Sequence, residues 1–198
     1  MAFDAPIAGT VFWLYSMRSL VIELPARPDQ TEYNLRRWEE LLDDPELARI
    51  EGRIETDRHG QIIMSPPPSP NHARYEYRIA RLLEDLLPNG EPMTEGPIST
   101  ADGVKAADVV WASRESLRAI GNRACFTKAP EICVEVLSPR NSKGEIDEKR
   151  RLYFDVGAKE VWVCSLKGEM TFYGAKSDTP LASSKLCPKF PKKVTLSV

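Results

Sequence analysis

Two apolar runs each carry one carboxylate where a buried strand would be expected to carry none: Ala106-Ala107-Asp108-Val109-Val110-Trp111 and Ile132-Cys133-Val134-Glu135-Val136-Leu137. Runs this apolar belong in a sheet covered on both faces, because a strand with one wet face alternates instead. Taking an ionised carboxylate out of water costs several kcal/mol unless a cation or hydrogen-bond donors compensate. Two readings stand for each acid. Either it sits at a strand end with its head in water or against an arginine, or the two acids share a cation, since a divalent metal stabilises carboxylates that would otherwise repel.

The surrounding pattern supplies the cover. Tyr33, Leu35, Trp38, Leu41 and Leu42 recur at three- and four-residue steps, which predicts an amphipathic helix ending near Asp43-Asp44-Pro45. Residues 50–64 alternate around His59-Gly60, the signature of a hairpin. Ser65-Pro66-Pro67-Pro68-Ser69-Pro70 cannot continue a ladder, because proline lacks the N–H, and reads as a stiff connection. Tyr75, Ile79, Leu82, Leu83, Leu86 and Leu87 give the clearest helix, stopped by Pro88-Asn89-Gly90. Strands follow at 91–98, 106–112 and 131–137, with a short helix at 113–120 between the last two. A helix at 142–156 and strands at 160–165 and 170–173 complete the series. This order is a mixed α/β fold, a central mixed sheet flanked by helices. It divides the chain into an N-terminal arm (1–24), one domain (25–175) and a tail (176–198) packing on that domain.

Charge and composition exclude several classes. With 27 basic and 29 acidic side chains in 198 residues, the formal charge of −2 argues against coating nucleic acid by bulk charge. No apolar stretch approaches the ~20 residues of a membrane-spanning helix, so no membrane is expected. Val11, Phe12, Trp13 and Leu14 precede every Lys and Arg, so a signal peptide with its basic start is not expected either. The four cysteines show no C-x-x-C spacing and only His59 and His72 are there to help them, which speaks against structural zinc. Cys133 and Cys164 read as small buried hydrophobes in a reducing cytoplasm.

Lys149 is a third anomaly. On a helix through residues 146–156 it projects into the apolar arc of Ile146, Tyr153 and Val156. Either it snorkels, stem on the core and ammonium in water, or it points inward to meet the two strand acids. The second arrangement suits phosphoryl chemistry: acids hold a metal that polarises the phosphate, and an ammonium stabilises developing charge. Oxygen ligands of this kind favour Mg²⁺ or Mn²⁺ over zinc.

Four motifs in order carry a resemblance: Gly60-Gln61-Ile62-Ile63-Met64-Ser65 running through the prolines to Asn71-His72, then Ala107-Asp108-Val109-Val110, then Val134-Glu135-Val136-Leu137-Ser138-Pro139, then Glu148-Lys149-Arg150-Arg151-Leu152-Tyr153. From about Leu35 to Tyr173 the chain resembles the Uma family of bacterial endonucleases, long a domain of unknown function, in the PD-(D/E)XK restriction-endonuclease-like superfamily. The resemblance implies a restriction-endonuclease-like fold and a metal-dependent endonuclease that hydrolyses phosphodiester bonds in DNA. It implies that Asp108 and Glu135 are the metal-binding acids and, with Lys149, the catalytic set. Glu55 matches the family's early glutamate, implied to bind a metal-held water, and His72 and Ser138 match recurrent positions. For His72, at a helix start, capping or packing stands beside a catalytic role. The chain departs from the superfamily in two places. Ala107 stands for a proline, and Leu137 stands where the lysine follows the second acid; the resemblance to the Uma family implies that Lys149 on the next helix takes that part.

Arg140, Lys143, Arg150 and Arg151 follow Glu135 closely. They read either as phosphate contacts, Arg140, Lys143 and Arg150 foremost, or as a solvated helix face balanced by Glu145, Asp147 and Glu148. The alternative function is a catalytically inactive nucleic-acid-binding or scaffold protein that keeps the fold. A homodimer is compatible with either, and Phe12, Trp13 and Leu14 could serve its interface.

Overall fold

A computed structural model describes residues 27–175 and 178–196. The arm expected over residues 1–24, with Phe12, Trp13 and Leu14, lies outside them.

The helical spacing around Trp38 gives α1 (Gln30–Leu42), which buries Asn34, Trp38 and Leu41. The alternating stretch after it forms the hairpin β1 (Arg53–Thr56) and β2 (Ile62–Ser65), antiparallel and separate from the main sheet. Its turn is held by the Asp57 carboxylate, which accepts from the backbone N–H groups of His59 and Gln61 at 2.8 and 2.9 Å. The proline connection ends at Ser69, whose hydroxyl accepts from the His72 N–H at 3.3 Å, with Pro70 opening α2 (Pro70–Leu86). Proline suits that first position because its missing N–H would be unpaired there anyway.

The main sheet follows: β3 (Gly90–Thr100), β4 (Gly103–Ser113), β5 (Ile132–Val136), β6 (Glu160–Cys164) and β7 (Met170–Gly174). Its strands lie side by side in chain order. All neighbours are antiparallel except β5 and β6, which are parallel. A parallel pair needs a crossover, and α4 (Lys143–Asp155) supplies it, while α3 (Arg114–Ile120) links β4 to β5.

Successive residues of the central strands feed opposite faces, as strand geometry requires. Val109, Val134 and Trp162 join Tyr75, Ile79 and Leu83 of α2, together with Cys187, Phe190 and Val194 from beyond β7. Val110, Cys133 and Val161 join Tyr153 of α4 on the other side. Cover on both faces is why the runs around Asp108 and Glu135 are nearly continuous in apolar residues. Each fully enclosed side chain such as Ile79 or Leu83 contributes on the order of 1.5–3 kcal/mol. All four cysteines are buried and unpaired. Among the described residues no helix is long and apolar enough to cross a membrane.

Residues 178–196 run beside the edge strand β7, with bridges Phe172–Leu181 and Glu169–Lys193. They are tied down by one buried carboxylate. Glu160 accepts hydrogen bonds from Trp162 Nε1 (2.8 Å), Ser184 Oγ (2.7 Å) and the backbone N–H groups of Lys185 (2.6 Å) and Leu186 (3.0 Å). Removing an acceptor this well satisfied strands several buried donors at once. Glu160→Ala is therefore expected to destabilise the protein by about 2–4 kcal/mol in urea denaturation. A loss within about 0.5 kcal/mol, the range of an ordinary surface change, would contradict the anchoring role.

Candidate active site

Strand register sets three acids in one row. Val109 pairs with Val134 across β4 and β5, so one step further Asp108 falls opposite Glu135. Thr94–Val109 and Gly96–Ala107 pair across β3 and β4, so Glu95 falls opposite Asp108 between them. Like charges directly opposite one another are destabilising, and Asp108 and Glu135 are only 1% and 3% exposed. Something must neutralise them.

Two linked sets of charge do so. In the first, the Arg53 guanidinium donates to Asp108 Oδ1 and lies 3.4 Å from Glu95 Oε2. The second oxygen of Asp108 accepts the Val136 N–H at 2.6 Å and lies 3.4 Å from His72 Nε2. His72 Nδ1 in turn lies 2.9 Å from Glu76 Oε1, one turn along α2. In the second set, the Lys149 ammonium sits 2.9 Å from Glu55 Oε1 and 3.2 Å from Glu135 Oε2, and donates to the Ala106 carbonyl at 3.4 Å. Tyr153, one turn on from Lys149, donates its hydroxyl to Glu135 Oε1 at 2.7 Å.

Protonation follows from these contacts. Burial works against charge on Asp108, but the hydrogen bond from His72, the Arg53 charge and the Val136 N–H outweigh it and hold the carboxyl below its usual range. Burial pushes the Glu135 carboxyl up, against the pull of Lys149 and with the repulsion of Asp108 and Glu55 behind it. Lys149 is buried too, yet Glu135 and Glu55 keep its ammonium firmly protonated. For His72, the adjacent carboxylates of Asp108 and Glu76 override burial and raise the imidazole to about 10. A doubly protonated ring also fits the 2.8 Å approach of Nε2 to the Val136 carbonyl, which can only accept.

These groups, Glu76 and Tyr153 excepted, line a cleft of about 620 Å³ between the Pro66–Pro68 connection and the loop Ser138–Asn141. It opens at the carboxyl end of β5, where its parallel neighbour also ends, a usual position for ligand sites in sheets with parallel strands. Asp108, Glu135, Lys149, Glu55 and His72 all reach it. Ser138 lines it as well, but its hydroxyl and its N–H both donate to Asn141 Oδ1 at 2.8 Å. Of the basic residues, Arg140 lines the cleft and Lys143 is exposed on the first turn of α4. Arg150 does not join them. It is buried, stacked over the Tyr173 ring at 3.6 Å and paired with Asp147 and Asp178. Arg151 is balanced by Glu148 and Asp155.

Three participants were not singled out in the sequence. Glu76 carries a signal in hindsight, standing four residues after His72 and so on the same helix face. Arg53 stands two before Glu55, hence on the same side of β1. Glu95 gives none, since its part follows from register. His72, Glu76 and Asp108 are the group among the described residues whose ligand atoms, all within 4.8 Å of one another, could hold a metal ion.

The model of the Uma2 family, described as "Putative restriction endonuclease", matches residues 26–175. A solved structure of a "putative nuclease" of DUF820 from Anabaena variabilis shares the fold with a TM-score of 0.63. The two chains are 16% identical, and the match covers 79% of this chain and 93% of that one. No curated protein sequence matches.

The raised basicity of His72 has a consequence for stability. A base whose folded value exceeds its unfolded one of about 6.5 stabilises fully below that pH, and the contribution fades as pH rises towards about 10. His72→Asn should therefore cost more stability at pH 6 than at pH 10, by on the order of 1–2 kcal/mol after solvent screening. Paired urea denaturations at the two pH values check this; an equal cost at both would mean that His72 is neutral in the folded protein.

Proposed function

The chain belongs to the Uma2 family, and on that premise we propose that it is a divalent-metal-dependent nuclease that hydrolyses phosphodiester bonds in DNA. One observation carries the reading: each linked set of charge has one more acid than cation. Glu95, Asp108 and Glu76 surround Arg53 and His72, and Glu55 and Glu135 surround Lys149. Together they set five carboxyl groups against three cations in and beside a partly enclosed cleft, so that full ionisation, which burial opposes at Glu135, leaves the two negative charges that one divalent cation balances.

The donor set fits such an ion. Carboxylates predominate, which favours Mg²⁺ or Mn²⁺ over softer metals. Asp108 and Glu135 are the ligands proposed from the sequence, with the Glu76 carboxylate beside Asp108 as a further donor, while the protonated His72 has no lone pair to give and serves as a hydrogen-bond donor. When bound, the ion supplies Lewis-acid polarisation of the phosphoryl group. Lys149 is too firmly protonated to take up a proton, so its part is to stabilise negative charge building on the phosphoryl oxygens. Glu55 and the Ala106 carbonyl hold that ammonium in place, and Tyr153 fixes the Glu135 carboxylate. Exposed Arg140 and Lys143 at the cleft and on the first turn of α4 are suited to the flanking phosphates. The four unpaired, buried cysteines suit a reducing cytoplasm.

A second reading has an observation of its own. Every oxygen of Asp108 and Glu135 already meets a donor of the protein, as in a purely structural network. That favours an inactive nucleic-acid-binding protein that keeps the fold.

Plasmid cleavage in Mg²⁺ separates the two. Asp108→Asn, Glu135→Gln and Lys149→Met should each lower the rate by at least about a hundredfold while thermal melts show folded protein. Parental cleavage rates in the three variants, or no cleavage by the parent across duplex, single-stranded and branched DNA, would favour the second reading.

A further inference from the structure

Resting on the metal-dependent reading of this site, we propose that Arg53 regulates it: the guanidinium and a divalent cation compete for Asp108, and a substrate phosphate favours metal loading by drawing the guanidinium away.

The two oxygens of Asp108 are not equivalent. Oδ2 is held by the backbone N–H of Val136 at 2.6 Å, a group of β5 that cannot leave. Oδ1 is held by Arg53 alone among the described contacts. A cation that takes Asp108 through Oδ1 meets the guanidinium on the same oxygen, and repulsion between the two positive charges sets them in competition.

Of the cations here, Arg53 is the one built to move. Lys149 is 9% exposed and held among Glu55, Glu135 and the Ala106 carbonyl, while the Arg53 side chain keeps 21% of its surface in the cleft. Arg53 opens β1, a short strand paired only with β2 and outside the five-stranded sheet. Both of its acidic contacts use Nη1. Nε and Nη2 are left to offer the planar, paired donors that match two oxygens of a phosphate.

Glu95 provides the second resting place. It is 42% exposed and its backbone sits at φ 54, a left-handed conformation uncommon for a residue with a side chain. Such strain persists where the surroundings impose it and gathers at functional sites. Here it falls at the residue opposite Asp108, and it places a carboxylate 3.4 Å from the same Nη1. A guanidinium leaving Asp108 keeps a partner at Glu95.

Competition and coupling have a fixed sign. A tethered cation on Asp108 lowers apparent metal affinity, and whatever draws it off raises that affinity by the same factor that metal raises the affinity for the drawing ligand. Calorimetric titration of Mn²⁺ into the full-length parent and Arg53→Met, each with and without a short phosphorothioate DNA duplex, tests this. Arg53→Met alone should bind Mn²⁺ roughly tenfold more tightly than the parent. The duplex should tighten binding to the parent and leave the variant unchanged. Equal or weaker Mn²⁺ binding by a folded Arg53→Met overturns the proposal while leaving the metal site standing. Asp108→Asn that binds Mn²⁺ as the parent does overturns the metal reading instead. Should Arg53→Met fail to fold, the Arg53 Nε–H resonance of the parent decides: it should shift on adding Mg²⁺, and a resonance that does not move overturns the proposal.

Discussion

A row of acids running across three adjacent strands governs this molecule. Glu95, Asp108 and Glu135 are set in line by strand register, and two of them are almost wholly removed from water. The sheet alone offers no cation to answer them. What does answer comes from three other elements, each arriving from a different direction: Arg53 from the small hairpin, His72 from α2 and Lys149 from α4. The hairpin, the proline connection and the crossover helix therefore place the cations that favour the ionised acids at that depth, enough to hold Asp108 below its usual range. The same supports bring a surplus of carboxylate with them, in Glu55 and Glu76. A purely structural network would be better served by equal numbers.

How much of this was legible depended on whether a feature was local. Helix spacing around Trp38 and Ile79, the proline stop and the alternation around Gly60 are local, and α1, α2 and the first hairpin appear where they predict them. The anomaly of Asp108 and Glu135 was legible for the same reason, as was the inward turn of Lys149. Both readings weighed for the acids have a counterpart in the structure. Asp108 does lie against an arginine, and it also stands with Glu135 in a cleft. Register and long-range folding were not legible. Glu95 looks unremarkable in Gly90–Thr100 until β4 is laid beside it, and Arg53 becomes a partner of Asp108 only when a hairpin 55 residues away folds over the sheet. Arg150 shows the converse. Its place in a basic stretch suggested phosphate, but the ring of Tyr173, from the far edge strand, takes the guanidinium instead.

The net charge of −2 takes on a different meaning once the site is drawn. Seen as a total, it speaks against nucleic acid. Seen in space, part of the acidic surplus is gathered in one cleft, and Arg140 and Lys143 stand at or beside it. A protein with this distribution gains little from nonspecific attraction to a polyanion and depends on what its cleft binds. Charge on the whole chain bears on encounter, and charge in the cleft bears on chemistry.

The position of Lys149 follows from topology. In the superfamily pattern that the sequence resembles, a lysine stands two residues after the second acid, on the same strand, and Leu137 occupies that place here. A parallel pair of strands obliges the chain to cross back over the sheet, and α4 makes that crossing on the face to which Tyr153 and Cys133 belong. Glu135 is on the strand the crossing leaves, so a side chain one turn before Tyr153 returns to it, and Lys149 meets Glu135 Oε2 at 3.2 Å. A lysine on the strand would share the strand's freedom at its end. A lysine on a helix packed against that strand, with Glu55 and the Ala106 carbonyl on its other sides, is fixed by three elements at once. On the proposed reading, a lysine on the helix trades reach for rigidity, and Arg53, on its short hairpin, is the cation proposed to move.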